Sequence, residues 1–405
     1  MRIRYLLLHA YGMGGTIRTV LTQANTMAAA GHDVEVVSVV RRAGEPPLAV
    51  DPRGRLSDIA DLRGHAAAPG PAGRLRAWRE RRRAARPPRY VPGSEPGHKA
   101  INRAVERAVI GYLRGLRDGI LVTTRPALNI LAAEFATGGV LRVGQEHMNL
   151  GTHRPDLRAA IARWYPHLDA VAVLTGRDRD DYLRLAPGTR VVRIPNAVHS
   201  LDQKPSTCAN KIAVAAGRLR PQKGFDLLIP AFGQAVEAYP DWQLRIFGTG
   251  NKQPRLRRLI EEHHLYNHVF LMGRTDEMDE ELAKASMYVL SSRYEGLPMV
   301  MIEAMAHGLP VVSFDCPTGP SDVITDGKEG LLVPPGDVDG LAAAMRRLMG
   351  DEALRAEMGD AALATVQAYG PEAIRERWTE LFEALERGNG VPGASEPGSL
   401  VRGPR

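Results

Sequence analysis

Residues 287–314 read MYVLSSRYEGLPMVMIEAMAHGLPVVSF, and this stretch decides the fold of the second half of the chain. Its first six residues form an apolar run that is typical of a buried parallel strand. A turn, EGLP, follows, and its Pro298 suits the first position of a helix, where the missing N–H costs nothing. The helix should end at the His-Gly pair, because glycine favours helix ends, and the last six residues begin another strand. The pattern predicts a strand–turn–helix–strand unit, with Glu295 in the turn and Glu303 on the helix.

The turn after this strand is a candidate binding site. Open α/β sheets bind ligands at the carboxyl ends of their parallel strands. The free N–H groups of the helix start can donate to hydroxyl or phosphate oxygens. Glu295 and Glu303 can each accept two hydroxyl hydrogen bonds, as a sugar ring or a ribose diol would offer. A turn glutamate and a solvated helix glutamate at this spacing also arise by chance, so the pair alone does not decide the function.

A basic turn, GRLRPQKG, follows the predicted strand at 211–217 and precedes another predicted helix. Arg218 and Lys223 are five residues apart in this turn. Two cations beside a helix N-terminus suit a diphosphate, since each charge-assisted hydrogen bond contributes roughly 1.5–3 kcal/mol and the helix end adds positive partial charge. The alternative is a solvated basic turn.

The N-terminal part of the chain also begins as a β-α-β unit. Strands are predicted at 2–9 and 33–40, and the turn GMGGT between the first strand and its helix contains Gly14 and Gly15. Glycines at this point let a phosphate approach a helix N-terminus. The turn is not GxGxxG and no acidic residue marks a dinucleotide ribose site, which disfavours a dehydrogenase. The alternative is a tight turn that needs glycine only for its dihedral angles.

Together these strings resemble the retaining glycosyltransferases of family 4. The resemblance rests on the spacing Glu295–seven residues–Glu303, the A-x-G-x-P-V pattern that follows, and the G-R-L-x-x-x-K-G signature at 217–224. It is strong over 212–335 and weak in the N-terminal half. It implies the α/β fold GT-B, in which two Rossmann-like domains have parallel sheets facing a central cleft.

The resemblance also implies site residues. The catalytic candidates are Glu295, Arg218, Lys223 and His147. The donor-binding candidates are Gly14, Gly15, Arg218, Lys223, Arg274, Thr275, Glu295, Gly296, Leu297, Pro298 and Glu303.

Each candidate has an implied role. Glu295 and the backbone after it hold the donor sugar, Glu303 holds the nucleotide ribose, and the backbone of Arg274 or Thr275 contacts the base. His147, after a predicted strand at 140–146, lies beside the sugar, although a structural histidine is the alternative. The family usually has Asn-Gly-Val where this chain has Asn-Ala-Val at 196–198, which leaves the backbone turn there open.

The length of 405 residues predicts two domains. The predicted divisions are an acceptor-side domain at 1–198 with a basic Pro/Arg-rich insert at about 41–98, a linker at 199–210, a nucleotide-sugar domain at 211–368, a helix at 369–387 that crosses back to the first domain, and a disordered tail at 388–405. Further N-domain strands are predicted at 119–124, 170–174 and 190–194, and a helix at 100–116.

Composition places the chain in the cytoplasm. No run of about 18 apolar residues encodes a membrane span, and two cysteines form neither a disulfide framework nor a zinc pattern. The net charge of +7 favours anionic partners. Arg74–Arg89 is rich in arginine around Trp78, and would suit peripheral contact with an anionic membrane or acceptor, unless it is simply a solvated insert. No nucleic-acid motif is present.

The predicted function is hexosyl transfer from a nucleoside diphosphate sugar, UDP-sugar rather than GDP-sugar, with retention and without a metal cofactor. The acceptor is not encoded in any motif; a cell-envelope, lipid-linked or phosphate-bearing acceptor is favoured, and a soluble natural product is the alternative. The Asp-x-Asp pairs at 178–180 and 337–339 lie at helix starts, where aspartate is expected as a cap rather than a metal ligand. A sugar phosphorylase, an epimerase and a non-catalytic module that binds anionic polymers remain competing interpretations.

Overall fold

The computed structural model describes residues 1–12, 14–42, 44–46, 48–63 and 86–388. These residues divide into two compact units. The first contains Met1–Val173, Arg179–Ile194 and residues 375–388, and the second contains Leu174–Asp178 and Pro195–Ile374. The segment predicted as a linker, 199–210, therefore belongs to the second unit, where Ser206 N–H donates to the His307 carbonyl at 2.7 Å.

The first unit contains a parallel sheet in the order β3-β2-β1-β4-β5-β6-β7. Its strands are β1 (Arg2–Leu7), β2 (Asp33–Arg41), β3 (Arg55–Asp61), β4 (Ile120–Thr123), β5 (Leu141–Gln145), β6 (Ala170–Val173) and β7 (Val191–Arg193). The helices described between them are α1 (Gly15–Ala29), α2 (Arg103–Gly115), α3 (Pro126–Phe135), α4 (Pro155–Trp164) and α5 (Gly176–Leu185), with 3-10 turns at Leu150–Thr152 and Tyr165–His167. Strands β1, β2, β4, β5, β6 and β7 and helices α1 and α2 confirm predicted elements to within a few residues.

The second unit contains a parallel sheet in the order β10-β9-β8-β11-β12-β13. Its strands are β8 (Ile212–Ala216), β9 (Gln243–Phe247), β10 (Val269–Gly273), β11 (Met287–Leu290), β12 (Val311–Phe314) and β13 (Gly330–Val333). Its helices are α6 (Phe225–Val236), α7 (Gln253–Glu262), α8 (Met278–Lys284), α9 (Met299–Ala306), α10 (Pro320–Val323), α11 (Val338–Gly350) and α12 (Glu352–Val366), with 3-10 turns at Pro221–Lys223 and Gln367–Tyr369. The last described helix, α13 (Pro371–Glu386), belongs to the first unit from residue 375 onward.

The strand–turn–helix–strand prediction for 287–314 is confirmed by β11, α9 and β12. Helix α9 buries Met301, Ile302 and Met305, and it ends at His307, followed by Gly308 at φ +69°. Pro298 precedes the helix as its N-cap instead of occupying its first turn. The shift is one residue, within the range by which helix ends vary.

One strand lies within the segment predicted as an insert at about 41–98, and the sequence analysis did not predict it. β3 pairs in parallel with β2 and forms an edge of the first sheet. Its sequence, RLSDIAD, mixes apolar and polar residues without a regular period and is only half-buried, so it lacks the continuous apolar signal of the inner strands. The arginine-rich part of the segment that surrounds Trp78 lies outside the described residues.

Helices in the described part of the chain are all too short or too polar to cross a membrane. Both cysteines, Cys208 and Cys316, are buried and free of disulfide bonds.

Candidate functional site

In the second unit, the turns after β8 and β11 meet through one ion pair. Lys223 Nζ lies 2.6 Å from Glu295 Oε1. Both side chains are largely buried, with 19% of Lys223 and 7% of Glu295 exposed. β8 and β11 are neighbours in the sheet, so their carboxyl ends bring the predicted diphosphate lysine beside the predicted sugar carboxylate.

Two glycines make this approach possible. A Cβ at Gly217 would lie 2.8 Å from Lys223 Cε, so glycine leaves room for the lysine stem to pack on the backbone. Gly224 has φ +64°, and a Cβ there would lie 1.9 Å from the Ser291 carbonyl oxygen. The basic turn after β8 can therefore lie directly against the end of β11.

The turn that carries Glu295 is held by Ser292 and Thr318, neither of which the sequence analysis identified. Ser292 Oγ donates to Glu295 Oε1 at 2.5 Å. The Thr318 hydroxyl donates to the carbonyl oxygens of Glu295 and Gly296, each at 3.0 Å, and Glu295 N–H donates to the Pro317 carbonyl at 2.9 Å. Ser292 could have been suspected because it ends the apolar run just before the turn. Thr318 follows the next strand, and only the sheet order brings it here.

The pKa values of two buried side chains are raised in part by the negative charge of the site. Burial, followed by the charge of Glu295, raises the pKa of Cys316 to about 12. Burial raises the pKa of Tyr288 well above its ordinary value, and the charges of Glu295 and Glu303 add to this effect. Tyr288, at the start of β11, is therefore near both predicted donor carboxylates.

Arg218 differs from Lys223. Its side chain is exposed, and among the described residues it has no hydrogen-bond or ion-pair partner. An uncompensated guanidinium on the turn that holds Lys223 is available for an anionic ligand.

Glu303, the predicted ribose ligand, lies on α9 with 16% of its side chain exposed. His199 Nδ1 is 3.9 Å from Glu303 Oε1, and His199 Nε2 is 3.2 Å from Asp279 Oδ2. The sequence analysis missed both neighbours because His199 lies in the predicted linker and Asp279 on α8.

The other donor-binding candidates of this unit are more dispersed. Arg274 is exposed after β10 and forms an ion pair with Asp276 at 2.9 Å. Thr275 Oγ1 accepts from Glu277 N–H at 3.0 Å. Gly296, Leu297 and Pro298 are buried between Glu295 and α9.

In the first unit, Gly14 and Gly15 are exposed at the start of α1. Gly14 has φ −175°, an extended conformation open to any residue, and a Cβ at Gly15 would meet nothing within 4 Å. Within the described residues, neither packing nor backbone strain requires these glycines, and no atom lies within 4 Å of a Cβ built at Gly15. A ligand could therefore approach this helix start as far as those residues are concerned.

A buried polar network follows β5, also in the first unit. Asn129 Nδ2 donates to Glu146 Oε1 at 2.7 Å, and the Tyr165 hydroxyl bonds the same oxygen. Glu146 Oε2 and both ring nitrogens of His147 have no hydrogen-bond partner among the described residues. His153 Nε2 is 3.9 Å from Glu146 Oε2, and it too has no hydrogen-bond partner among the described residues.

Burial controls the ionisation of this network. It raises the pKa of Glu146 to about 8, with a smaller contribution from the charge of Glu95. Burial lowers the pKa of His147 and of His153 to about 4. At neutral pH both histidines are therefore uncharged, and Glu146 is largely protonated. Burial therefore keeps the carboxyl group at this strand end mainly as the neutral acid.

The first aspartate of each Asp-x-Asp pair accepts a hydrogen bond at a helix start. Asp337 is the N-cap of α11 and accepts from Gly340 N–H at 2.9 Å. Asp178 Oδ2 accepts from the Thr175 hydroxyl at 2.8 Å, while Thr175 Oγ1 accepts from Asp178 N–H. Asp337 therefore caps α11 as its position predicts, whereas at α5 it is Thr175 that accepts the helix N–H and Asp178 lies within the first turn.

Residues 202–365 match the family model described as glycosyl transferases group 1. An exopolysaccharide phosphotransferase of Streptomyces coelicolor is 38% identical over 396 residues, which are 95% of this chain and 41% of that protein. A poly(ribitol-phosphate) alpha-N-acetylglucosaminyltransferase of Staphylococcus aureus is 32% identical over 218 residues, 54% of this chain and 44% of that protein. The chain thus spans about two fifths of the length of these relatives.

Among solved structures, the S. aureus TarM G117R mutant in complex with Fondaparinux, alpha-GlcNAc-glycerol and UDP has a TM-score of 0.74 at 19% identity, covering 94% of this chain and all of the other. The fold of the chain is GT-B, with two Rossmann-like units, as predicted. The family match lies within the second unit, and the structural likeness shows the fold alone. The placement of the chain in family 4 stays a prediction.

Proposed function

We propose that this chain transfers a hexosyl group from a nucleoside diphosphate sugar, UDP-sugar in preference to GDP-sugar, to a cell-envelope polymer, with retention of the anomeric configuration. The observation that carries the proposal is the ion pair between Lys223 and Glu295 at 2.6 Å. A cation that suits a diphosphate and a carboxylate that suits sugar hydroxyls lie side by side at the carboxyl ends of neighbouring strands, where α/β sheets bind ligands.

In the proposed reaction, the bond between sugar C1 and the β-phosphate oxygen breaks, and the acceptor oxygen bonds to C1 on the same face. The acceptor proton passes to the departing phosphate, giving UDP and the glycosylated acceptor. Lys223 and Arg218 stabilise the negative charge that develops on the leaving diphosphate. Glu295, held by Lys223 and Ser292, binds sugar hydroxyls in preference to attacking C1.

We assign the remaining donor contacts in the same way. Glu303 binds the ribose, and the backbone after Gly273 contacts the base. Gly14 and Gly15 lie close to phosphate or acceptor, and His147 acts beside the sugar as a neutral imidazole. No metal ion is assigned, because Asp337 caps α11 and Asp178 accepts a hydrogen bond from the Thr175 hydroxyl.

Two relatives favour an envelope acceptor. One is named for exopolysaccharide and the other for poly(ribitol-phosphate), so we propose a polyhydroxylated or phosphate-bearing polymer as acceptor. We also keep cytoplasmic membrane-face association through Arg74–Arg89 as a proposal. Vesicles with and without anionic lipid would test it, since binding that ignores lipid charge would contradict it.

A panel of UDP- and GDP-sugars tested by thermal shift is the first experiment, followed by product analysis with the stabilising donor. Release of UDP only when a polymer acceptor is present, with an α-linked product from an α-linked donor, is the expected result. Sugar 1-phosphate formed from phosphate, or an epimerised donor, would indicate a phosphorylase or an epimerase instead. Polymer binding without any donor affinity would indicate a binding module.

The nucleotide that is released distinguishes a second candidate reaction from glycosyl transfer. The Streptomyces relative is named a phosphotransferase. Transfer of a sugar phosphate would release UMP and leave a phosphodiester in the product, whereas glycosyl transfer releases UDP. Phosphorus NMR of the product therefore distinguishes the two reactions.

A further inference from the structure

A second basic feature lies in the same unit as Lys223. A cavity of about 150 Å³ is lined by three cationic side chains, Arg220, Lys252 and Arg255, over an apolar floor that includes Phe225 and Leu256. The floor residues are buried, with 4% of Phe225 and 3% of Leu256 exposed. Buried apolar side chains and cationic side chains therefore line the same cavity.

The charges at this cavity are only partly balanced by the protein, where the carboxylate of Asp226 also interacts with the charge of Arg255. Asp226, the one acidic residue among those lining it, is held by Arg293, whose Nη1 and Nη2 donate to its two carboxylate oxygens at 2.9 and 2.8 Å. Within the described residues, the side chains of Arg220, Lys252 and Arg255 have no ion-pair or hydrogen-bond partner. Three unpaired cations therefore face one small space.

The backbone adds to this positive potential. Helix α6 begins at Phe225, and helix α7 begins at Gln253 with Lys252 as its N-cap. The first turns of both helices line the cavity, and each helix start has a positive partial charge. The cavity thus combines side-chain cations with two helix starts, a combination suited to phosphate oxygens.

This cavity differs from the proposed diphosphate site. Lys223, Glu295 and Arg218 are not among the described residues that line it, and the ammonium group of Lys223 is committed to Glu295. Arg220 lies between Arg218 and Lys223 in sequence, so one turn supplies cations to both places.

We propose that this cavity is a second anion site, which binds a phosphate group of a phosphomonoester or phosphodiester independently of the donor diphosphate. Guanidinium groups of Arg220 and Arg255 can bind two phosphate oxygens each, and Lys252 supplies a point charge. A phosphate-bearing acceptor would supply such a group. The anion site stands without the proposed glycosyl transfer, because its evidence is the cavity and its charges.

Calorimetric titration tests the site with three probes: inorganic phosphate, glycerol 3-phosphate as a monoester and glycerophosphoglycerol as a diester. Each is titrated into the protein alone and into protein saturated with UDP. We expect at least one probe to bind equally well under both conditions. The Lys252→Gln/Arg255→Gln double variant should weaken that probe at least about tenfold, with UDP affinity unchanged. Arg257→Gln, which removes a charge from an exposed position of the same helix away from the lining, should bind the probe normally.

The results identify the ligand class or reject the site. Preference for the diester indicates a polymer phosphodiester, and preference for a monoester or phosphate indicates a terminal phosphate; both support the proposal. Binding of none of the probes, competition with UDP, or equal weakening by Arg257→Gln would overturn it. The titrations without UDP decide the question even if the chain binds no nucleotide sugar.

Discussion

Lys223 Nζ and Glu295 Oε1 are 2.6 Å apart although 72 residues separate them in sequence. In this arrangement the Glu295 carboxylate is paired with the ammonium group that we assign to the donor diphosphate. The ammonium group has further N–H donors for phosphate oxygens, but the carboxylate and the diphosphate compete for its charge, so Glu295 opposes diphosphate binding. Ser292 Oγ donates to the same carboxylate oxygen at 2.5 Å and can hold it in place when the diphosphate binds.

The first prediction follows from this competition. In Glu295→Gln, free UDP should bind at least about threefold more tightly, because the amide releases Lys223 and a net hydrogen bond is worth about 1 kcal/mol. Sugar transfer should nevertheless fall by about 100-fold, because a group that contacts the reacting sugar is lost. Calorimetry with UDP and initial rates with UDP-sugar measure the two effects. Glu262→Gln, an exposed change in the same unit, is the control. Weaker UDP binding in Glu295→Gln would show that the carboxylate does not compete.

The second prediction concerns Glu303. If its carboxylate binds the ribose, Glu303→Gln should weaken UDP binding at least about tenfold, since a charge-assisted hydrogen bond is replaced by a neutral one. The UDP analogue that lacks the hydroxyl bound by Glu303, either 2′-deoxy- or 3′-deoxy-UDP, should then bind the wild type and the variant with nearly equal affinity. Glu357→Gln, exposed on α12, controls for the charge change. Equal losses for UDP and both deoxy analogues would remove the ribose assignment.

The third prediction uses the buried acid of the first unit. The pKa of Glu146 is about 8 in the folded chain against an ordinary value of 4.5. Between these values the folded state holds a proton that the unfolded state has released, so the stabilising effect is present below pH 4.5 and is lost as the pH rises to 8. The slope is at most about 1.4 kcal/mol per pH unit.

Glu146→Gln removes this titration and keeps an oxygen that can accept from Asn129. Urea unfolding of the first unit at pH 5.5 and 7.5 should show the wild type losing on the order of 2 kcal/mol relative to the variant. His147 and His153, whose pKa values burial lowers to about 4, destabilise the fold as the pH falls below 6.5, but they do so in both proteins. A stability difference that does not change with pH would show that Glu146 is ionised in the folded chain.

The predictable part of this protein is what local patterns encode. Apolar runs located the inner strands, and glycine, proline and charge spacing located the turns after β8 and β11. β3 was missed because an edge strand has a paired neighbour on one side only and its residues stay half-exposed.

The contacts within the candidate site were not predictable in the same way. That Lys223 meets Glu295 depends on β8 and β11 being neighbours, and that Thr318 supports the turn depends on the position of β12. Burial raises the pKa of Glu146, and the hydrogen bonds from Asn129 and Tyr165, which lie 17 and 19 residues away in sequence, partly oppose this effect. Such properties belong to the packed structure, since burial sets them.

The fourth prediction tests the open helix start of the first unit. Gly15→Ala adds a methyl group at the first position of α1, where it meets no atom of the described part of the chain within 4 Å. The melting temperature should therefore stay the same or rise, because alanine is favoured over glycine in helices by up to about 1 kcal/mol. If phosphate or acceptor approaches this backbone, kcat/KM for transfer should fall at least about tenfold, since close contact leaves no room for a methyl group.

Gly111→Ala is the matched control, because Gly111 is exposed in α2 and a Cβ there also meets nothing. It should gain similar stability and keep full activity. Full activity in Gly15→Ala as well would mean that no substrate contacts this helix start.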